Sequence, residues 1–311
     1  MDKATKFFTN PLVVVIGALL ATAFWGSATP IIKLGYEHSL PVRDIPSTIL
    51  FAGARFFVAG IIVVLIYSIL RRRIIYPKPS NIGGIMVVGT FQTILQYVFY
   101  YIGLSNTTGV KAAIAMGAQP FFDLIFAALV FRQERFTPRK ILAVIIGFSG
   151  IVIANLTGLT FDINLMGDGL VMMSAIFYSI SIILVKRLSE REDTAVITGY
   201  QFLFGGAIMI AIGLLLGGRI VINTPVSAII FIYLSASVAV AYILWNYLLK
   251  YNPVTRVSVF FFMMPAFGVI FSRILLPADS GFDPVKIVTA LVLFAVAIIM
   301  INYTPKKDRL K

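Results

Sequence analysis

Cysteine is absent from the 311 residues, histidine occurs once, and acidic residues number 13 against 26 lysines and arginines. Without cysteine there are no disulfides and no thiolate metal sites, and His38 beside Glu37 is too little for zinc or redox chemistry. No G-x-x-x-x-G-K-S/T segment occurs, so the chain has no phosphate loop with which to run an ATP-driven pump. HExxH, a histidine cluster and paired intramembrane carboxylates are also missing, which argues against an intramembrane enzyme. No cofactor is implied. Nor is there a polar block long enough to fold separately, so one integral membrane domain is expected.

What fills the chain is apolar: 59% of residues are hydrophobic, 13% are charged, and the mean hydropathy is +0.95. Most of it belongs in a lipid bilayer. The net charge of +13 sits in short connectors rather than on an amphipathic stripe, so it reads as a topology signal and not as a nucleic-acid surface. The first apolar run imitates a signal peptide, with Lys3 and Lys6 before Pro11 to Leu20 and an A-x-A-like Ala21, Thr22, Ala23. Apolar sequence continues to Ile32, longer than a signal h-region, so it is expected to span.

With about 20 residues needed to cross the hydrocarbon core, spans fall near 12–35, 47–70, 82–104, 109–131 and 140–156. Five more fall near 168–188, 195–216, 226–249, 253–276 and 284–303. With the N-terminus inside, 19 of the 26 basic residues lie on the inner side, which places both termini in the cytoplasm of a plasma-membrane protein. Two segments 145 residues apart carry the same landmarks: Lys111, Pro120 and Glu134, then Arg256, Pro265 and Asp279. Ten spans split into two sets of five, and an odd number makes the second set enter from the opposite side. Inverted repeats of this kind are a transporter signature. Pro120 and Pro265, lacking a backbone donor, are the expected hinges.

Phe24-Trp25-Gly26-Ser27 with Lys33, Phe177-Tyr178-Ser179 with Lys186 and Arg187, Gln119-Pro120-Phe121-Phe122, and Arg132 to Gly150 resemble the EamA-like branch of the drug/metabolite transporter superfamily. Trp245-Asn246-Tyr247 through Lys250, Pro253, Val257-Ser258 and Pro265 resemble its eighth and ninth helices. The resemblance implies an all-α integral membrane protein with ten transmembrane helices in two inverted five-helix EamA-like repeats, 12–156 and 168–303, around a central cavity lined by helices 1, 3, 4, 6, 8 and 9. It also implies export or import of small metabolites. Two departures stand out: Leu275-Leu276-Pro277-Ala278-Asp279 where the family commonly has Gly-Glu, and Asp123 where it has a small or neutral residue.

Residues three, four and seven apart share a helix face. Polar stripes of this kind are Thr22, Gly26, Thr29, Lys33; Gln92, Gln96, Tyr100; Ala112, Gln119, Asp123; Ser174, Tyr178, Ser181; Ser235, Tyr242, Asn246; and Ser258, Phe262, Pro265. Spans 5 and 10 are almost purely aliphatic and belong at the periphery. Candidate substrate-binding residues are Trp25, Gln92, Gln96, Tyr100, Gln119, Asp123, Tyr178, Tyr242, Asn246 and Phe262. The bland alternative for each stripe is interhelical hydrogen bonding.

Asp123, in mid-span, either binds a cationic part of the substrate, carries a coupling proton, or is a structural residue bonded to Gln92, Gln96 or Arg55. Arg55 and Lys33 read as snorkelling or flanking cations, and Tyr101 as part of an interfacial belt. The expected function is secondary transport of amino acids or related amphipathic compounds by alternating access, as an exporter, by a monomer or homodimer, with proton coupling left open. Cationic drug export, a membrane enzyme and a scaffold are the alternatives.

Overall fold

The computed structural model describes residues 2–156, 162–276 and 283–302; Asp279, the counterpart of Glu134, lies outside them. Among the described residues, a short helix, Lys3–Phe8, is followed by ten long helices. The first five are α1 (Pro11–Ser39), α2 (Ile45–Leu70), α3 (Pro79–Ser105), α4 (Gly109–Val130) and α5 (Pro138–Ala154). The second five are α6 (Leu165–Leu188), α7 (Thr194–Leu215), α8 (Pro225–Tyr251), α9 (Val254–Leu275) and α10 (Pro284–Asn302). Nine of these are long and apolar enough to cross a membrane. The remaining one, α5, has 17 residues, the lower end of the roughly 17–25 that span a bilayer.

Helix starts are written locally. Asn10, Asp44, Thr108, Thr137, Asp193 and Thr224 each accept a backbone N–H from the first turn that follows. Proline stands at the first helical position of α1, α5 and α8, where its missing donor costs nothing. The bond from Ser47 holds the exposed Asp44 carboxyl below its usual range. Inside the spans the helix satisfies its own backbone, which lipid demands.

The two sets of five interlock. Helix α2 packs along α7, α5 along α10, α1 against both α8 and α9, and α6 against both α3 and α4. Exchanging each helix with the one five places on leaves these pairings unchanged, as a pseudo-two-fold axis requires. Tyr97 and Tyr242 are 145 positions apart, and their hydroxyls meet at 3.3 Å. That is the landmark offset seen in the sequence, so the axis runs between these two hydroxyls.

Small residues bring the backbones together, as in membrane bundles generally. In the α2–α7 seam a Cβ on Gly206 would stand 2.5 Å from the Phe57 nitrogen, and one on Gly53 would stand 2.7 Å from Met209 Cβ. In the α1–α9 crossing a Cβ on Gly26 would meet Phe267 Cβ at 2.6 Å and the Met264 carbonyl at 2.8 Å.

The bundle has two distinct ends. At one, Val221 N donates to Ser39 O at 2.8 Å, Arg219 N to Ser47 Oγ at 3.0 Å, and Asn164 Nδ2 to Asn106 O at 2.8 Å. At the other, Arg71 pairs with Asp193 at 2.7 Å, Lys78 N donates to Glu192 Oε2 at 2.9 Å, and Lys186 Nζ donates to Leu249 O at 3.1 Å. These ends are called the Lys33 end and the Lys186 end below.

Candidate functional site

A cavity of about 400 Å³ lies on the pseudo-two-fold axis. Its floor is formed at mid-helix by Tyr178, Tyr242 and Phe261, and it rises past Trp25, Thr29 and Tyr100 to Lys33, Leu104 and Arg43. The Arg43 side chain is half exposed, so the cavity reaches the surface at the Lys33 end.

Its wall is built from rings. Trp25 stands edge-on to Tyr242 at 5.2 Å and to Tyr178 at 6.5 Å, with Trp245 behind it at 5.1 Å. Tyr97 lies 4.5 Å from Phe56 and 6.1 Å from Tyr101, which in turn lies 5.7 Å from Tyr100. Edge-to-face pairs of this kind add packing energy beyond the area they bury. The result is a firm, largely preformed pocket with polar tips on apolar bodies.

Some of those tips have nothing to bond. Trp25 Nε1, Arg55 Nε and Nη1, Gln96 Oε1 and Tyr178 OH are buried without hydrogen-bond partners. A buried polar atom left unpaired costs about 1–3 kcal/mol, so several in one wall mark a surface shaped to meet something else.

The Lys186 end is sealed. Glu134, in the connector between α4 and α5, accepts from Thr255 N at 3.0 Å, from the Thr255 hydroxyl and from Lys140 Nζ at 2.6 Å. Its side chain is only 4% exposed. Around it, Arg256 binds Asn302 at 3.1 Å and Asn252 at 3.2 Å, and Phe8 stacks on Tyr247 and Tyr251. The carboxylate therefore ties the first repeat to the second at the closed end.

The EamA-like transporter family model matches residues 12–156 and again 165–303. The chain belongs to that family. Similar proteins include two archaeal relatives from Archaeoglobus fulgidus, each named an uncharacterized transporter. One is 27% identical over 262 residues, covering 83% of this chain and 88% of the relative. The other is 24% identical over 259 residues, covering 81% and 86%. The uncharacterized transporter YvbV of Bacillus subtilis is 22% identical over 290 residues, covering 92% and 90%. A protein of known crystal structure shares the fold, with a TM-score of 0.73 at 18% identity over 94% of this chain and 96% of that one.

Of the ten side chains that the EamA-like sequence pattern and the polar stripes single out, five line the cavity: Trp25, Gln96, Tyr100, Tyr178 and Tyr242. The other five are buried away from it. Gln92 donates to Ser181 at 3.2 Å, Asn246 donates to Thr198 at 2.9 Å, and Phe262 stacks on Phe294 at 6.0 Å. Gln119 donates to Asp123 at 3.3 Å within α4, and neither reaches the cavity wall. Asp123 thus takes a bond from Gln119 on its own helix and faces the Ser179 and Ser258 hydroxyls of α6 and α9, not Gln92, Gln96 or Arg55.

Both prolines coincide with a change in winding. Helix α4 breaks at Ala118, just ahead of Pro120, and α9 tightens into a 3₁₀ turn at Val259–Phe262, just ahead of Pro265. In each case the proline removes the donor that would have closed the preceding turn.

Two readings of single residues and one of the lining helices change. Arg55 does not snorkel: it is 1% exposed and lines the cavity. It is ten residues into α2, about 15 Å from the helix start at 1.5 Å per residue, with its head in the cavity and not at the helix end. Tyr101 lines the cavity instead of belonging to an interfacial belt. Helix α2, through Arg55 and Phe56, joins the cavity wall, whereas α4 contributes only Met116. A lone cation at mid-span is a functional signal in its own right, and it was available in the sequence.

Proposed function

We propose that this EamA-like transporter is a secondary carrier of small amphipathic metabolites, amino acids or related compounds, that works by alternating access and exports them across the plasma membrane. The observation that supports this is the ring-lined cavity on the axis between inverted repeats, open at one end and tied shut at the other. At about 400 Å³ it falls within the roughly 300–1,000 Å³ of small-molecule sites. Inverted repeats supply the second state, because exchanging the conformations of the two halves opens the opposite end.

The lysines and arginines gathered at the Lys186 end support placing that end, with both chain termini, in the cytoplasm. In that orientation the structure is open to the outside, the state an exporter occupies after release. Pro120 and Pro265 are the proposed bending points, and the five cavity residues named above are the proposed substrate contacts. Cationic drugs lose the observation that favoured them, since Asp123 is not on the cavity wall.

Counterflow in proteoliposomes tests the reading. Vesicles loaded with an unlabelled amino acid should accumulate the labelled one transiently, and comparison at two pH values shows whether a proton moves with it. No counterflow for any amino acid or related acid, against protein-free vesicles, refutes it.

A further inference from the structure

Among the described residues the cavity wall is rich in cations and carries no carboxylate: Arg55, Lys33 and Arg43 line it, and neither Asp nor Glu does. Arg43 is offset by Glu37 at 3.4 Å near the rim. Arg55 is different. Its guanidinium lies between the rings of Phe51 and Phe56, 5.3 and 5.8 Å from their centroids, and its one hydrogen bond is a long one of 3.4 Å from Nη2 to Tyr101 OH. Nε and Nη1 are buried and unpaired, and Nη2, which forms a two-donor edge with either of them, has a second hydrogen beyond its long bond to Tyr101.

A buried charge without a counter-ion is retained only against a strong penalty. The cation of arginine is not relieved by losing its proton, because the guanidinium stays charged in proteins. What relieves it is an anion with two acceptor oxygens, since a guanidinium edge matches a carboxylate in a bidentate pair. We infer that the cavity recognises its substrate by a carboxylate held on the unpaired guanidinium donors of Arg55, with a compact aromatic or branched aliphatic body lying against Trp25, Tyr97 and Tyr100.

A single cation at this depth balances a single negative charge, so a monoanionic acid fits where a phosphate dianion leaves surplus charge among rings. An amino group is an accessory in this scheme: Gln96 Oε1, an unpaired acceptor in the same wall, takes it when it is present. This inference rests on the carrier reading above for its biological meaning, but it is a statement about binding and is tested as one.

Trp25 and Trp245 are the only tryptophans, and Trp25 lines the cavity, so intrinsic fluorescence reports occupancy. The purified protein in detergent is titrated with four probes sharing a phenyl body: phenylalanine, 3-phenylpropionate, 3-phenylpropionamide and phenethylamine, with isocaproate as an aliphatic acid. The three acids are expected to give saturable quenching, and the amide and amine are expected to bind about tenfold or more weakly, the factor lost with one charge-assisted contact.

Arg55→Gln should erase the preference for acids over the amide. Arg55→Lys, which keeps the charge but not the fork, should retain part of it and guards against misfolding of the first variant. Acids bound no better than the amide or amine, no quenching by any acid, or acids bound normally by both variants overturns the inference. Carrier function is read separately by flux: acids that bind through Arg55 but are never moved refute the carrier reading alone, whereas transport of amide and amine as fast as acid refutes this one alone.

Discussion

Replacing Glu134 with glutamine attacks the tie that closes the Lys186 end, and its size can be worked from the contacts. Lys140, in the first turn of α5, belongs to the same repeat as Glu134, so their 2.6 Å ion pair stays within that repeat and biases no equilibrium. The bonds from Thr255 N and its hydroxyl cross to the second repeat and must break when that end opens. A hydrogen bond to a charged group contributes about 1.5–3 kcal/mol, and glutamine keeps an acceptor oxygen but loses the charge. A net loss of about 1.5–3 kcal/mol shifts the balance of open ends by roughly ten- to a hundredfold.

The natural absence of cysteine makes the assay clean. Leu104→Cys reports the open mouth, and Ser258→Cys, a near-isosteric change at a buried position in α9, reports the sealed end. With Glu134 intact, a small maleimide should label position 104 readily and position 258 hardly at all. In Glu134→Gln the rate at 258 should rise and the rate at 104 should fall. Equal labelling patterns in the two backgrounds, with thermal unfolding unchanged, would refute the role of Glu134 as a tie between repeats.

Gly206→Ala, in the middle of α7, and Gly83→Ala, in the first α-helical turn of α3, make a contrasting pair. Alanine gains roughly 1 kcal/mol of helix propensity over glycine, but the new Cβ at 206 meets the Phe57 backbone at 2.5 Å while the one at 83 meets nothing within 4 Å. Since overpacking costs about 1–3 kcal/mol and backbone cannot yield as a side chain can, Gly206→Ala should lower the unfolding temperature in detergent and Gly83→Ala should leave or raise it; the reverse order would refute the close α2–α7 seam. Asp123→Asn should leave acid binding unchanged in the tryptophan titration, because the amide can accept the same bond from Gln119 and the carboxyl is off the cavity wall. A lost ligand response would return Asp123 to the substrate site.

The span count, the caps, the inverted repeat and its 145-residue offset were legible in the chain because each is a local or periodic property. Asn10, Asp44, Thr137 and Thr224 announce helix starts whatever surrounds them. The offset that pairs Pro120 with Pro265 reappears in space as the Tyr97–Tyr242 contact. The inward-facing residues were only half legible. Gln96 and Gln92 are one turn apart on α3, yet one lines the cavity and the other bonds to Ser181 behind it.

A π-helical turn at Thr90–Leu95 offsets their faces, and the angle at which each helix presents its faces is set by tertiary packing. In a soluble protein an apolar stripe tells inside from outside, but here lipid-facing and core-facing surfaces are equally apolar, so periodicity points nowhere. Close crossings at Gly26 and along Gly53 and Gly206 turn each helix to its final angle, and only the assembled bundle carries that information. The sequence by itself therefore determined a ten-helix inverted-repeat membrane protein of the EamA-like kind. The tertiary structure alone decided that Arg55 reaches the cavity and Asp123 does not, because a charge in a membrane helix is directed by its neighbours and not by its own segment.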